Sequence, residues 1–334
     1  MSLFSLIFSN LKFYRKPWLA ILVGTAISTA VLTGALVVGD SVRFSLGNLT
    51  DIRLGKTRFA VQSGDRFFRQ QLAIELSEKT KSPVAPLLQL EGITINSEKD
   101  SRINRVEVIG IDDRFIKFWG VSIKQPSEDE AILSQTVAEK LNLKTGEEFL
   151  LKLHKQSKAS ENAPFVSEKE PLVTFHLKVS AVADDKQMGR FSLKTNQSAP
   201  FNIFISLKTM ARKVDLTGNA NLLLIAENID EKQYAKNLDS LIRLCWQPED
   251  AGLEFRKLPE TNSFEIRSGR IFIDDNASKA IQKTIPDANP VFTYLVNDIS
   301  GNGNSTPYSF VTATENKGFQ LSEKEIIINN WLYF

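Results

Sequence analysis

The chain has 334 residues, 42% of them hydrophobic and 24% charged, with a formal charge of +2. That is enough for one or two domains with a substantial core, and so small a positive excess, with no basic patch interleaved with aromatics, excludes nucleic acid as a partner. A single cysteine, Cys245, excludes an intrachain disulfide; with His154 and His176 it is too scattered for a zinc site, so a buried structural role is expected for each of the three.

From the N-terminus, Leu3, Leu6, Ile7, Leu11 and Tyr14 recur at helical spacing with Ser2, Ser5, Ser9 and Asn10 between them. This predicts an amphipathic helix over residues 1–16, lying in the cytoplasmic interface before the chain turns into the bilayer at Pro17. Residues 18–38 (WLAILVGTAISTAVLTGALVV) carry no charge. At about 1.5 Å per residue they reach about 31 Å, the thickness of the hydrocarbon core, and predict a transmembrane helix over 17–39. Trp18, Leu22 and Val38 anchor it, while Gly24, Ala30 and Gly34 suit close packing of a second helix. The apolar run exceeds a signal-peptide core, and no Ala-x-Ala site precedes Asp40. Lys12, Arg15 and Lys16 hold the preceding end in the cytoplasm, so the remainder faces the periplasm of a bacterial inner membrane.

Val42, Leu46, Leu49 and Ile52 keep the helical spacing beyond the span. They predict that the membrane helix continues as a stalk over 40–56, capped by Gly55. An alternation of strands and helices follows: strand 58–62, helix 66–81, strands 87–96 and 102–111, and helix 113–119 ending at Gly120. Strand 131–134, helix 136–141, strand 148–154, a polar loop over 155–171 and strands 173–183 and 201–206 make a mostly β unit over 128–206. The alternation resumes with helix 207–214, strand 221–226, helix 230–246, strand 253–258, helix 274–283 and strands 291–296 and 308–314. The segment Ser300-Gly301-Asn302-Gly303-Asn304-Ser305-Thr306 reads as a disordered loop. The fold class is therefore α+β: one subdomain over 57–127 and 207–321, with the β unit 128–206 inserted in it.

Residues 128–137 (EDEAILSQTV) and 323–332 (EKEIIINNWL) echo one another, each placing Glu-x-Glu before an apolar strand and the opening of a helix. Residues 322–334 thus read as the start of a further unit in a larger architecture, cut short at Phe334. No catalytic constellation is visible. Leu54-Gly55-Lys56-Thr57 imitates the end of a phosphate-binding loop, but Thr50 stands where that loop needs glycine. Asp112-Asp113 suits a helix cap and Asp184-Asp185 a turn, neither having the spacing of a calcium loop. No cofactor is implied.

Several segments, in order after the basic anchor, resemble the extracytoplasmic part of FtsX-like and MacB-like ABC transporter permeases, in particular the large bacterial kind with duplicated halves. They are Gly39-Asp40-Ser41-Val42-Arg43, Ser63-Gly64-Asp65-Arg66-Phe67-Phe68, Gly110-Ile111-Asp112-Asp113-Arg114-Phe115 with Phe118-Trp119-Gly120, Ala131-Ile132-Leu133, Leu141-Asn142-Leu143-Lys144-Thr145-Gly146-Glu147, and Asn221-Leu222-Leu223-Leu224. The resemblance implies a MacB-like periplasmic core, a porter-like α+β subdomain with a small inserted β subdomain. It implies a permease subunit that does not hydrolyse ATP itself, but is coupled through its stalk to a cytoplasmic ABC ATPase for export or mechanotransmission. The partners it implies are that ATPase, the lipid bilayer and a second permease copy. Such permeases have at least four spans, so the chain reads as an N-terminal fragment of one. The alternative is a single-span anchored periplasmic protein that binds a partner or ligand.

Overall fold

The computed structural model describes residues 3–155, 172–195, 198–226, 231–260, 262–269, 272–301, 303–315, 321–322 and 325–330. Most of the expected polar loop 155–171, and the helix start expected at the end of the 323–332 echo, lie outside the described residues. The chain forms two compact units, residues 1–270 and 271–334.

The first unit opens with two helices, α1 (Leu3–Phe13) and α2 (Arg15–Leu54). The expected corner at Pro17 falls instead at Tyr14, whose φ of −98° and ψ of 27° leave the helical range. Proline acts upstream of its own position: it offers no N–H to residue 13, and its ring meets that carbonyl. Pro17 itself sits in the first turn of α2, where a missing N–H costs nothing. Arg15 and Lys16 consequently belong to α2 rather than to α1.

After α2 come β1 (Thr57–Gln62), β2 (Phe68–Arg69), α3 (Gln71–Thr80), β3 (Val84–Asn96), β4 (Ser101–Ile111) and α4 (Asp113–Trp119). Next are β5 (Glu130–Ser134), α5 (Gln135–Leu141), β6 (Glu148–His154), β7 (Leu172–Ala183), β8 (Asn202–Ser206) and α6 (Leu207–Lys213). The unit ends with β9 (Asn219–Ala220), β10 (Leu222–Ala226), α7 (Glu231–Cys245), β11 (Leu253–Leu258) and β12 (Ser263–Ser268). Asp112 caps α4 as its position suggests, its carboxylate accepting from the N–H groups of Arg114 and Phe115 at 2.9 and 3.4 Å.

Eight strands form one sheet in the order β1-β10-β3-β4-β8-β5-β7-β6, and a further β3–β6 ladder joins the last strand back to the third. Strands β3, β4, β8, β5, β7 and β6 therefore close into a ring, a small barrel. β3 belongs to both parts: residues 84–87 pair with β10, and residues 88–96 with β4. Closure depends on Gly92, which pairs with Leu153 across the ring. A Cβ there would lie 2.6 Å from Leu153 Cδ2 and 3.0 Å from the Lys152 carbonyl, so only glycine lets the strands approach.

This arrangement differs from the expected partition at residue 128. The strands of 128–206 do not make a sheet of their own but complete one begun by β3 and β4, because β3 runs long enough to pair with β10 at one end and within the ring at the other. The expected continuity of 207–321 also differs, since among the described residues β11 and β12 pair only with each other and the second unit starts at 271. That unit holds α8 (Asp275–Thr284) and the hairpin β13 (Val291–Gly301) with β14 (Asn304–Thr314). The segment expected to be disordered is the hairpin's tip, with Gly301 facing Asn304 and Gly303 at a φ of +83°.

Three apolar clusters hold the first unit. One fills the barrel with Leu88, Val106, Leu133, Leu151, Phe175 and Ile203 under α5 and α6. A second packs Ile109, Phe115, Trp119, Phe191 and Phe204 with Leu222 and Leu224. A third sets Leu72 and Leu76 of α3 against Leu223 and Ile225. β10 feeds alternate residues to the second and third clusters, which is why its sequence is apolar throughout.

Candidate membrane-coupling segment

α2 is 40 residues long and is the one helix among the described residues long and apolar enough to cross a membrane. Trp18, Leu22, Gly24, Ala30, Gly34 and Val38 all lie on it, with Leu22 and Val38 67% and 63% exposed. No part of its most apolar stretch is buried by the protein. Thr25 and Thr29 spend their hydroxyls inside the helix, donating to the carbonyls of Ile21 and Thr25 at 2.9 and 2.8 Å. That leaves no side-chain polar group of theirs in need of water, as an apolar surrounding requires. Nothing lies within 4 Å of the position a Cβ would take on Gly24 or Gly34. Lys12 ends α1, and Arg15 and Lys16 open α2, so these three cations gather at the Tyr14 corner.

The stalk residues follow without a break. Val42, Leu46, Leu49 and Ile52 recur three or four residues apart, which puts them along one flank of the helix. Val42 and Leu46 are exposed, while Leu49 and Ile52 are half-buried, so the stripe enters the domain over its last two turns. Gly55 closes the helix at φ 53°, ψ −121°, its N–H donating to Asp51 at 2.8 Å. That backbone conformation is open to glycine alone.

A second reason for glycine is the neighbour. The indole of Trp119, at the end of α4, lies so close that a Cβ on Gly55 would sit 3.0 Å from it. Trp119 in turn meets Phe191 edge-on at 5.7 Å between centroids and Phe115 at 5.6 Å. Two residues before the cap, Arg53 reaches sideways, donating from Nη1 to the Lys194 carbonyl at 3.3 Å and from Nη2 to the Ser198 carbonyl at 2.7 Å. The helix end is thus tied to α4 and to the connection between β7 and β8. Sequence reasoning passed over Arg53 as a contact, because nothing local marks an arginine whose acceptors lie more than 140 residues away.

Asp250 is buried and accepts from the Arg69 N–H at 2.9 Å, and from Arg69 Nη2 at 2.8 Å, fastening β2 to the turn at 248–251. A cavity of about 340 Å³ opens beside Lys124, Gln125, Glu130, Lys178 and Ser180. Donation from the Ser127 side chain and N–H holds the Glu130 carboxyl below its ordinary range. Cys245 is buried as expected, but His154 and His176 are exposed. The alternation of β6 and β7 turns Leu151, Leu153, Phe175 and Leu177 inward and the histidines out. Among the described residues no three His, Cys, Asp or Glu side chains gather as a metal site would need.

No family model and no curated protein sequence matches the chain. Among solved structures, the chain is similar to the periplasmic region of MacB from Actinobacillus actinomycetemcomitans, with 14% identity, a TM-score of 0.35, and coverage of 68% of this chain and 85% of that one. It is also similar to the extracellular domain of the noncanonic ABC-type transporter YknZ from Gram-positive bacteria, with 10% identity, a TM-score of 0.37, and coverage of 63% of this chain and 100% of that one.

Proposed function

We propose that this chain is a membrane subunit of an ABC-type transporter. In this reading α2 crosses the bacterial cytoplasmic membrane with its N-terminal end inside, and the domain beyond it stands outside. ATP is hydrolysed by a separate cytoplasmic subunit, and the helix passes the resulting motion outward to the domain. The observation that carries the reading is the continuity of α2. One unbroken helix runs from an uncharged, uncovered stretch of membrane length to a joint where Gly55 and Arg53 are seated in the domain. A mere tether would need no helix beyond the bilayer, whereas a helix transmits displacement along its length.

Orientation is testable because the native thiol is buried. In a Cys245→Ser background, cysteines introduced at Ser9 and Ser45 are probed on whole cells with a membrane-impermeant maleimide. Labelling at position 45 alone, with position 9 reacting only after permeabilisation, is the expected result. The reverse pattern, or equal labelling of both, overturns the assignment. Transmission is tested by Leu46→Pro, which breaks the stalk at a cost of about 3 kcal/mol or more. Nucleotide hydrolysis by the complex isolated from native membranes should persist while transport is lost; transport that continues unchanged rules out the helix as the route.

A further inference from the structure

The connection from β7 to β8, described at residues 184–195 and 198–201, is held to its surroundings by several polar contacts. Asn202, buried at the head of β8, donates from Nδ2 to the Gly189 and Phe191 carbonyls at 3.2 and 2.7 Å. Lys194 pairs with Glu107 of β4. Arg53 of α2 takes the Lys194 and Ser198 carbonyls. Phe191 adds an apolar hold, buried against Trp119 and Phe115, and Trp119 is the residue on which Gly55 rests. One strap therefore touches the end of the membrane-length helix at one side and two barrel strands at the other. β8 sits between β4 and β5 inside the closed ring, so a shift at its start is felt on both neighbours.

We propose that Arg53 is the positioning residue that couples the tilt of α2 to the barrel, acting through the strap residues 184–195 and 198–201, with the Gly55–Trp119 contact as the fulcrum. This rests on the reading of α2 as a membrane helix. Guanidinium hydrogen bonds to carbonyls are directional, so they drag their acceptors when the helix leans, where apolar contacts would slide. At its far end the Pro200 carbonyl accepts from Thr136 Oγ1 and the Phe201 carbonyl from the Glu107 N–H, each at 2.8 Å, so the strap is fastened to α5 and β4 beyond the Arg53 contacts.

The test uses the full chain in nanodiscs of short-chain and long-chain phosphatidylcholine, since bilayer thickness changes the tilt of a spanning helix. A spin label at Thr33→Cys in the Cys245→Ser background reports depth, and amide hydrogen exchange reports the strap and β8. The wild-type strap and β8 should change exchange several-fold between the two lipids. In Arg53→Ala that lipid dependence should vanish, while the thermal midpoint of the domain is retained. Arg53→Lys, which keeps the charge but loses the two-pronged reach, should behave like the alanine variant. If the Thr33 label responds to lipid and the strap does not, or if Arg53→Ala keeps the full response, the coupling role is wrong. A Thr33 label that never enters the bilayer sinks the membrane reading itself, a separable failure.

Discussion

Two hairpins of nearly equal length lie in this chain and meet opposite fates. β3 and β4 span 13 and 11 residues, β13 and β14 11 each, and both pairs alternate apolar and polar residues. In the first, Leu88, Val106 and Val108 are fully buried; in the second, Tyr308 and Phe310 are 74% and 75% exposed. The difference lies in what borders them. The outer edges of the first hairpin are taken by β10 and β6 on one side and β8 on the other, whereas among the described residues β13 and β14 pair only with each other. Alternation says that a segment will be a strand, and its neighbours decide whether the apolar residues become core.

The sharpest way to break that comparison is Leu88→Ala. It should destabilise the first unit by about 2–5 kcal/mol in denaturant unfolding, the cost of a cavity in a packed core. A loss below about 1 kcal/mol would mean that the barrel interior collapses freely. Glycines sharpen the contrast. Gly92→Ala forces a methyl onto Leu153 and the Lys152 carbonyl and should cost about 1–3 kcal/mol. Gly301→Ala, with nothing within 4 Å and no positive φ, should leave the second unit's hairpin intact by circular dichroism and hydrogen exchange.

The closed barrel should also carry an acid sensitivity. The Lys144 N–H and the Lys99 ammonium, donating at 2.9 and 3.0 Å, hold the Glu147 carboxyl below its ordinary value of 4.5. A depressed carboxylate stabilises the fold above its unfolded pKa, and that contribution is lost as pH falls through the folded one. The wild type should therefore lose stability on acidification below about pH 4.5 more steeply than Glu147→Gln; parallel pH profiles would remove Glu147 from the account. The smallest effect is expected at Phe310→Ala, within about 0.5 kcal/mol, because an exposed ring gives up little.

What could be read ahead of the structure was whatever the chain states locally. The uncharged run of α2, the glycine that ends it, the Asp112 cap and the two-faced strand Leu222–Ala226 follow from composition and short-range spacing. Elements made by distant pairing were not visible. β2 and β9 are two residues each, and exist because Phe68 and Arg69 meet Ala220 and Asn219. The helix expected from residue 66 accordingly starts at Gln71, since Phe68 is claimed by that ladder. β12 is too mixed in polarity to signal a strand without β11 beside it. Barrel closure hangs on Gly92 and a partner some 60 residues away, and neither the spacing nor the composition of β3 announces it. The same limit hid the joint: Gly55 was legible as a cap, but Trp119 as its seat and Arg53 as its clamp belong to tertiary structure.

The length of α2 beyond the apolar stretch sets the scale of any movement at that joint. From Gly39 to Leu54 the helix extends about 24 Å, the lever arm that the proposed coupling would use. A pivot of about 10° within the bilayer, well inside the usual spread of helix tilts, would sweep its tip sideways by about 4 Å. A hydrogen bond of 2.7 Å from Arg53 to Ser198 yields only a few tenths of an ångström before it fails. Either the clamp lets go early in the swing, or the barrel end travels with the lever, and the exchange comparison with Arg53→Ala separates the two.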